Sequence, residues 1–152
     1  MRKHLLKKLQ LIPSAVIITA AILLSSCEQS SGGSTASYPY LSYTEINDYL
    51  DTVHAAYPSI TTIETLGTSV DGKAIKALII SDNPADLEME PRVRLTGCIH
   101  GNEKITTEVL VRFLEYILEE YSSGNTEISG LVESRYITII PVLNPDGYEN
   151  WT

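Results

Sequence analysis

The sequence predicts an α/β fold, a mixed, largely parallel sheet flanked by helices. Two β-branched, apolar runs at residues 92–99 and 136–143 carry that reading, together with the amphipathic segment between them. Two strands separated by one helix imply a right-handed βαβ crossover. An Asp71-Gly72 turn signal between two further short runs adds a hairpin ahead of this unit. The length of 152 residues suits one domain, and 43% apolar residues are enough for a packed core.

The first 26 residues read as a leader and not as part of the fold. Arg2, Lys3, Lys7 and Lys8 form a positive region, and residues 15–24 form an apolar stretch too short for a comfortable membrane span. Leu24-Ser25-Ser26-Cys27 follows. Small residues ahead of a Cys at the end of such a stretch resemble the lipobox of bacterial lipoproteins. The resemblance implies that Cys27 is lipidated and becomes the new N-terminus, anchoring an exported protein in the cell envelope. Glu28 rather than Asp after the Cys does not suggest retention at the inner membrane. Residues 27–37 are a Ser/Gly-rich tether with nothing apolar to bury. Removing residues 1–26 takes away four cations and no acid, leaving seven cations against 19 acids, a net charge of −12. That balance argues against nucleic acid as a partner.

The folded part, residues 38–152, begins with a helix. Ser42 and Glu45 have capping-box spacing, and Ile46, Tyr49, Leu50, Val53 and Tyr57 form a helical stripe that Pro58 ends. His54 lies off the stripe, on a solvated face. Residues 61–66 and 74–80 are the hairpin strands, and the two-proline stretch 81–91 is a loop. Residues 92–99 are continuously apolar from Val93, which suggests a central strand covered on both faces, with Cys98 a small core residue inside it. Thr106 and Thr107 are candidate N-caps for the helix carrying Leu110, Leu114, Ile117, Leu118 and Tyr121, which Ser122-Ser123-Gly124 stops. Residues 128–133 suggest a short helix. Residues 136–143 form a buried strand that leaves through the turn-rich Asn144-Pro145-Asp146-Gly147-Tyr148.

Chemistry concentrates at Gly97-Cys98-Ile99-His100-Gly101-Asn102-Glu103. A His and a Glu three positions apart, on the loop leaving a strand, can turn toward one point, and Gly101 allows the sharp bend. Such a pair could supply half a metal site, since a catalytic zinc takes three protein ligands and keeps a fourth position open, but His-x-x-Glu alone is a weak signal. The second motif leaves the other long strand, so both sit at C-terminal strand ends, where open α/β sheets place ligand sites.

Taken with the helix carrying Glu108, with Leu143-Asn144-Pro145-Asp146-Gly147-Tyr148-Glu149 and with the upstream Leu66–Lys73 hairpin segment, the sequence resembles the M14 zinc metallocarboxypeptidases. It looks most like the carboxypeptidase N/E-type branch, from about Tyr43 to Tyr148. The resemblance implies Zn2+ as cofactor, His100 and Glu103 as its first two ligands, peptide or protein C-termini as substrates and a partial carboxypeptidase-like fold. It gives residues 144–147 a structural role. Thr106 stands where that branch tends to carry Gly. The branch and the acidic surface together suggest C-terminal Lys or Arg.

One departure matters. The family's third ligand is a His after the Asn-Pro-Asp-Gly turn, and its carboxylate-clamping arginines, covering Tyr and general-base Glu also follow it. This chain has only His4, His54 and His100, and its last arginine is Arg135. The expectation is therefore an N-terminal, truncated portion of a peptidase domain, inactive alone, with no catalytic residue of its own and with an exposed edge at the motif strand. Two alternatives are a non-catalytic surface lipoprotein with a relic peptidase scaffold, and a related zinc deacylase. The Asn-Pro-Asp-Gly turn and the early hairpin favour the carboxypeptidase over the deacylase.

Overall fold

The Ser42 hydroxyl accepts the Glu45 amide while the Glu45 carboxylate accepts the Ser42 amide, so the expected capping box starts helix α1, Tyr43–Ala56. This computed structural model describes residues 40–86 and 88–150. The leader (residues 1–26), the tether and Cys27 lie outside the described residues. α1 buries Ile46, Leu50 and Val53. His54 is half-buried rather than fully solvated, its ring 3.1 Å from the Thr61 hydroxyl.

Strands β1 (Thr61–Thr68) and β2 (Ala74–Ile80) pair antiparallel, with an irregularity between Thr65 and Gly67. The turn is one residue longer than expected. Ser69 donates its amide to the Lys73 carbonyl, enclosing Val70, Asp71 and Gly72, and Gly72 takes the left-handed conformation (φ 81°) that suits glycine. β3 (Arg92–Thr96) precedes α2 (Lys104–Ser122), then α3 (Thr126–Val132), capped by the Asn125 side chain. β4 (Tyr136–Ile140) and α4 (Pro145–Asn150) complete the described elements.

The four strands lie in the order β1-β2-β4-β3. The α/β class holds, and the sheet is mixed, but parallel pairing is confined to β3 and β4. β2, returning from its hairpin, enters antiparallel between β1 and β4. β2 ends in four consecutive buried residues, Ala77, Leu78, Ile79 and Ile80, so it, and not β3, is the strand covered on both faces. β3 is an edge, and Arg92, Val93 and Arg94 are exposed. An apolar run reports what its residues tolerate and not which element covers them.

One cluster joins Leu50 and Val53 of α1, Leu110, Leu114, Ile117 and Leu118 of α2, and Leu78, Ile80, Ile137 and Ile139 of the sheet. A smaller one, made of Ile46, Cys98, Val142 and Tyr148, lies under the strand exits. The chain at Leu41 is tied down from both sides: its amide donates to buried Glu108 and its carbonyl accepts the Tyr148 hydroxyl. Glu108 thus anchors the start of the fold. Among the described residues no helix is long and apolar enough to cross a membrane.

Candidate metal centre

β3 stops at Thr96, three residues sooner than the apolar run suggested. Gly97 extends the pairing by one bond, donating to the Ile140 carbonyl at 2.8 Å. A Cβ at Gly97 would lie 2.6 Å from the Pro141 carbonyl, so only glycine fits there without displacing the neighbouring chain. Cys98 then adopts φ 45°, a left-handed conformation unusual for a non-glycine residue. Three contacts hold it. Its amide donates to the Thr106 hydroxyl (2.7 Å), its carbonyl accepts the Asn144 amide (3.0 Å), and its thiol points at the His100 carbonyl (3.3 Å). The Cys98 side chain is buried as a core residue, in the left-handed turn rather than in the strand. Burial pushes its thiol pKa up, and the neighbouring Glu103 carboxylate pushes the same way, which disfavours the thiolate form.

The left-handed turn throws His100 out to the surface. Glu103 closes a tight turn by donating its amide to the His100 carbonyl at 2.9 Å. The turn lies at the strand exit, immediately before α2, and both residues are exposed. Glu103 occupies the N-cap position yet makes no side-chain cap. Its carboxylate is exposed, as is the His100 ring, and neither side chain forms a hydrogen bond or ion pair among the described residues. One imidazole nitrogen donor and one or two carboxylate oxygens, unspent and exposed, match the donor chemistry of a zinc centre. Two such groups are fewer than the three protein ligands a catalytic zinc takes. No group of three or more His, Cys, Asp or Glu side chains able to hold a metal is present among the described residues. His54 is on α1, bonded to Thr61, and does not join them.

The second motif packs directly on the first. Residues 144–148 form a helix start rather than a loose turn. The Asn144 side chain accepts the Gly147 amide (2.9 Å), Pro145 takes the first helical position and Asp146 stands in the first turn. Gly101 and Gly147 meet backbone to backbone: a Cβ on Gly101 would lie 2.2 Å from the Gly147 carbonyl group. Asp146 reaches the other way, to the β1–β2 turn. It accepts the Ser69 hydroxyl (2.7 Å) and the Asp71 amide (3.2 Å), with Lys73 3.7 Å away and bridging on to Glu149 at 3.0 Å. Desolvation raises the Asp146 pKa. The Ser69 and Asp71 donors and the Lys73 charge together outweigh it and leave the carboxyl below its ordinary value. The hairpin, the His100 loop and α4 are therefore one connected unit.

Neither threonine is a cap. Thr106 bridges the Cys98 amide and the Glu103 carbonyl, and buried Thr107 donates to the Pro141 carbonyl. Sequence reasoning missed these roles and the Asn144 clamp, although Asn-Pro-Asp, a capping residue followed by Pro and an acid, is itself a helix-start signal.

The Peptidase_M14 zinc carboxypeptidase profile matches residues 46–152. Carboxypeptidase D of Anas platyrhynchos is 36% identical over 120 residues, covering 78% of this chain and 9% of the relative. The carboxypeptidase N catalytic chain of Rattus norvegicus is 38% identical over 108 residues, covering 70% and 24%. Carboxypeptidase E of Caenorhabditis elegans is 30% identical over 148 residues, covering 96% and 31%. Among solved structures, carboxypeptidase A of Helicoverpa armigera superposes with a TM-score of 0.60 at 29% identity, covering 72% of this chain and 26% of that one. Thrombin activatable fibrinolysis inhibitor, at TM-score 0.64 and 22% identity, shares the fold over 72% and 27%. The chain spans between about a tenth and a third of the length of these curated relatives. The profile covers the hairpin, the His100 loop and α4 in one stretch, and by that match the chain belongs to the M14 zinc carboxypeptidase family.

Proposed function

We propose that this chain carries the first part of a zinc-dependent metallocarboxypeptidase domain that removes C-terminal amino acids from peptides and proteins. His100 and Glu103 are its first two zinc ligands. The observation that carries this reading is the tight turn presenting an unspent imidazole and an unspent carboxylate at a strand exit, in a chain of the zinc carboxypeptidase family. His100 would bind through a ring nitrogen and Glu103 through one or both carboxylate oxygens. Zinc, when bound, polarises the scissile carbonyl and a water molecule. Thr106, Cys98 and Asn144 keep the turn in place, and Asp146 ties it to the hairpin.

Two ligands do not make a catalytic set, and among the described residues no further histidine offers a third, since His54 is committed to Thr61. The reading therefore makes the 152-residue chain inactive by itself. Incubated with zinc and a peptide ending in Lys or Arg, it should release no C-terminal amino acid above the enzyme-free blank. Release that Glu103→Gln abolishes would overturn this. In direct titration zinc should perturb the His100 ring resonances, and Glu103→Gln should weaken that response. An unchanged response in the variant would remove Glu103 from the ligand set.

The same proposal places the protein in the bacterial cell envelope, lipid-anchored through Cys27 after cleavage of residues 1–26, with residues 27–37 as tether. The charge pattern and the Leu-Ser-Ser-Cys junction support it. Radiolabelled palmitate should label the wild-type protein and not Cys27→Ser. Equal labelling of both would reject the anchor.

A further inference from the structure

The backbone on either side of His100 is held by unusually specific contacts, and two of them come from one residue. The Asn144 amide donates to the Cys98 carbonyl at 3.0 Å, and its side-chain nitrogen donates to the Ile99 carbonyl at 3.3 Å. These are the two successive peptide carbonyls that precede His100. The side-chain oxygen of Asn144 accepts the Gly147 amide, which fixes which way the amide group faces: an oxygen toward α4 and a nitrogen toward the His100 loop. Beyond His100, its own carbonyl receives the Glu103 amide and the Cys98 thiol. Gly101 rests on the Gly147 backbone.

We propose that Asn144 is a positioning residue for His100: its side-chain nitrogen orients the Ile99–His100 peptide and so aims the imidazole before any metal arrives. This rests on the reading of His100 as a zinc ligand. The orientation of a ligating side chain is set by what its backbone cannot do. Here the peptide entering His100 is denied rotation by a donor that belongs to the neighbouring strand exit. The same residue caps α4, so α4 and the ligand loop share a single anchor. An aspartate at 144 separates the two jobs. It keeps an acceptor for the Gly147 amide, and with it the cap, but has no donor for the Ile99 carbonyl.

The test compares wild type, Asn144→Asp and Asn144→Ala in the full 152-residue chain by amide hydrogen exchange and by zinc chloride titration of the His100 ring resonances. Asn144→Asp should leave the Gly147 amide protected, speed exchange at the Glu103 amide, and weaken the zinc response about tenfold, the lower end of losses seen when a ligand's supporting contacts are removed. Asn144→Ala should lose protection at both amides. Unchanged Glu103 exchange with an unchanged zinc response in Asn144→Asp would overturn the proposal and leave the ligand reading intact. Faster Glu103 exchange in a chain whose His100 never responds to zinc would sustain the positioning and overturn the ligand reading. Should Asn144→Asp fail to fold, Thr106→Val loosens the same loop from the α2 side. It should show the same two effects, and Thr106→Ser should reverse them. Wild-type behaviour in Thr106→Val would count against a loop held from these anchors.

Discussion

At Gly101 a single methyl group has nowhere to go. The Cβ would fall 2.2 Å from backbone atoms of Gly147, and backbone cannot swing aside as a flexible side chain does. Gly130, inside α3, meets nothing within 4 Å. The two glycines therefore respond oppositely to alanine. Gly101→Ala should lose about 3 kcal/mol by overpacking, whereas Gly130→Ala should gain about 0.5–1 kcal/mol from the lower chain entropy of alanine in a helix. Urea unfolding monitored by circular dichroism checks both, and a neutral Gly101→Ala would mean the two loops separate easily. That His100 and Glu103 share one turn at a strand exit was legible in sequence because their spacing and setting are local properties. The left-handed turn at Cys98 was not. It depends on a hydroxyl eight residues on and an amide 46 residues on, and no local pattern announces either.

Among elements, Asp146 of α4 ties to the β1–β2 turn, 75 and 77 residues away in sequence. Its folded-state pKa lies below the ordinary value: burial opposes ionisation, but the Ser69, Asp71 and Lys73 partners favour it more. A depressed carboxylate stabilises the fold above its unfolded pKa, and that stabilisation disappears as pH falls through the lower, folded value. Asp146→Asn should therefore be less stable than wild type at about pH 6, and the gap should close on acidification toward about pH 3. Urea midpoints across that range test it, and a constant gap would assign the effect to lost hydrogen-bond geometry rather than charge. The sequence announced this turn and this motif separately. The link between them was unreadable because an Asp after a Pro serves equally as a helix-start acid and as a long-range acceptor, and here it is both. The capping box of α1 was fully legible, since all of its partners lie within one turn.

At the scale of the whole molecule, the open edge at β3 is the expected site of self-association. Gly97 donates to Ile140 and Pro91 accepts from Tyr136, so the alternation of a parallel ladder turns the amides of Arg92, Arg94 and Thr96 away from β4. The residues flanking those amides on the open edge include two arginines, and Arg92 lies over the Tyr136 ring at 5.8 Å. Exposed cations are a common way of blunting an edge against a second copy. When two β3 edges approach, like charges face each other, a repulsion worth about 1 kcal/mol per opposed pair. Arg94→Val removes that repulsion and adds a β-former, so it should strengthen self-association about fivefold, the equivalent of that energy. Arg94→Pro also removes the charge but deletes the outward amide while sparing the bonds to β4, and it should stay as monomeric as wild type. Sedimentation velocity over a concentration series distinguishes the two mechanisms. Equal association of both variants would trace the contact to exposed apolar surface such as Val93 rather than to strand pairing, and the edge would then be a bystander.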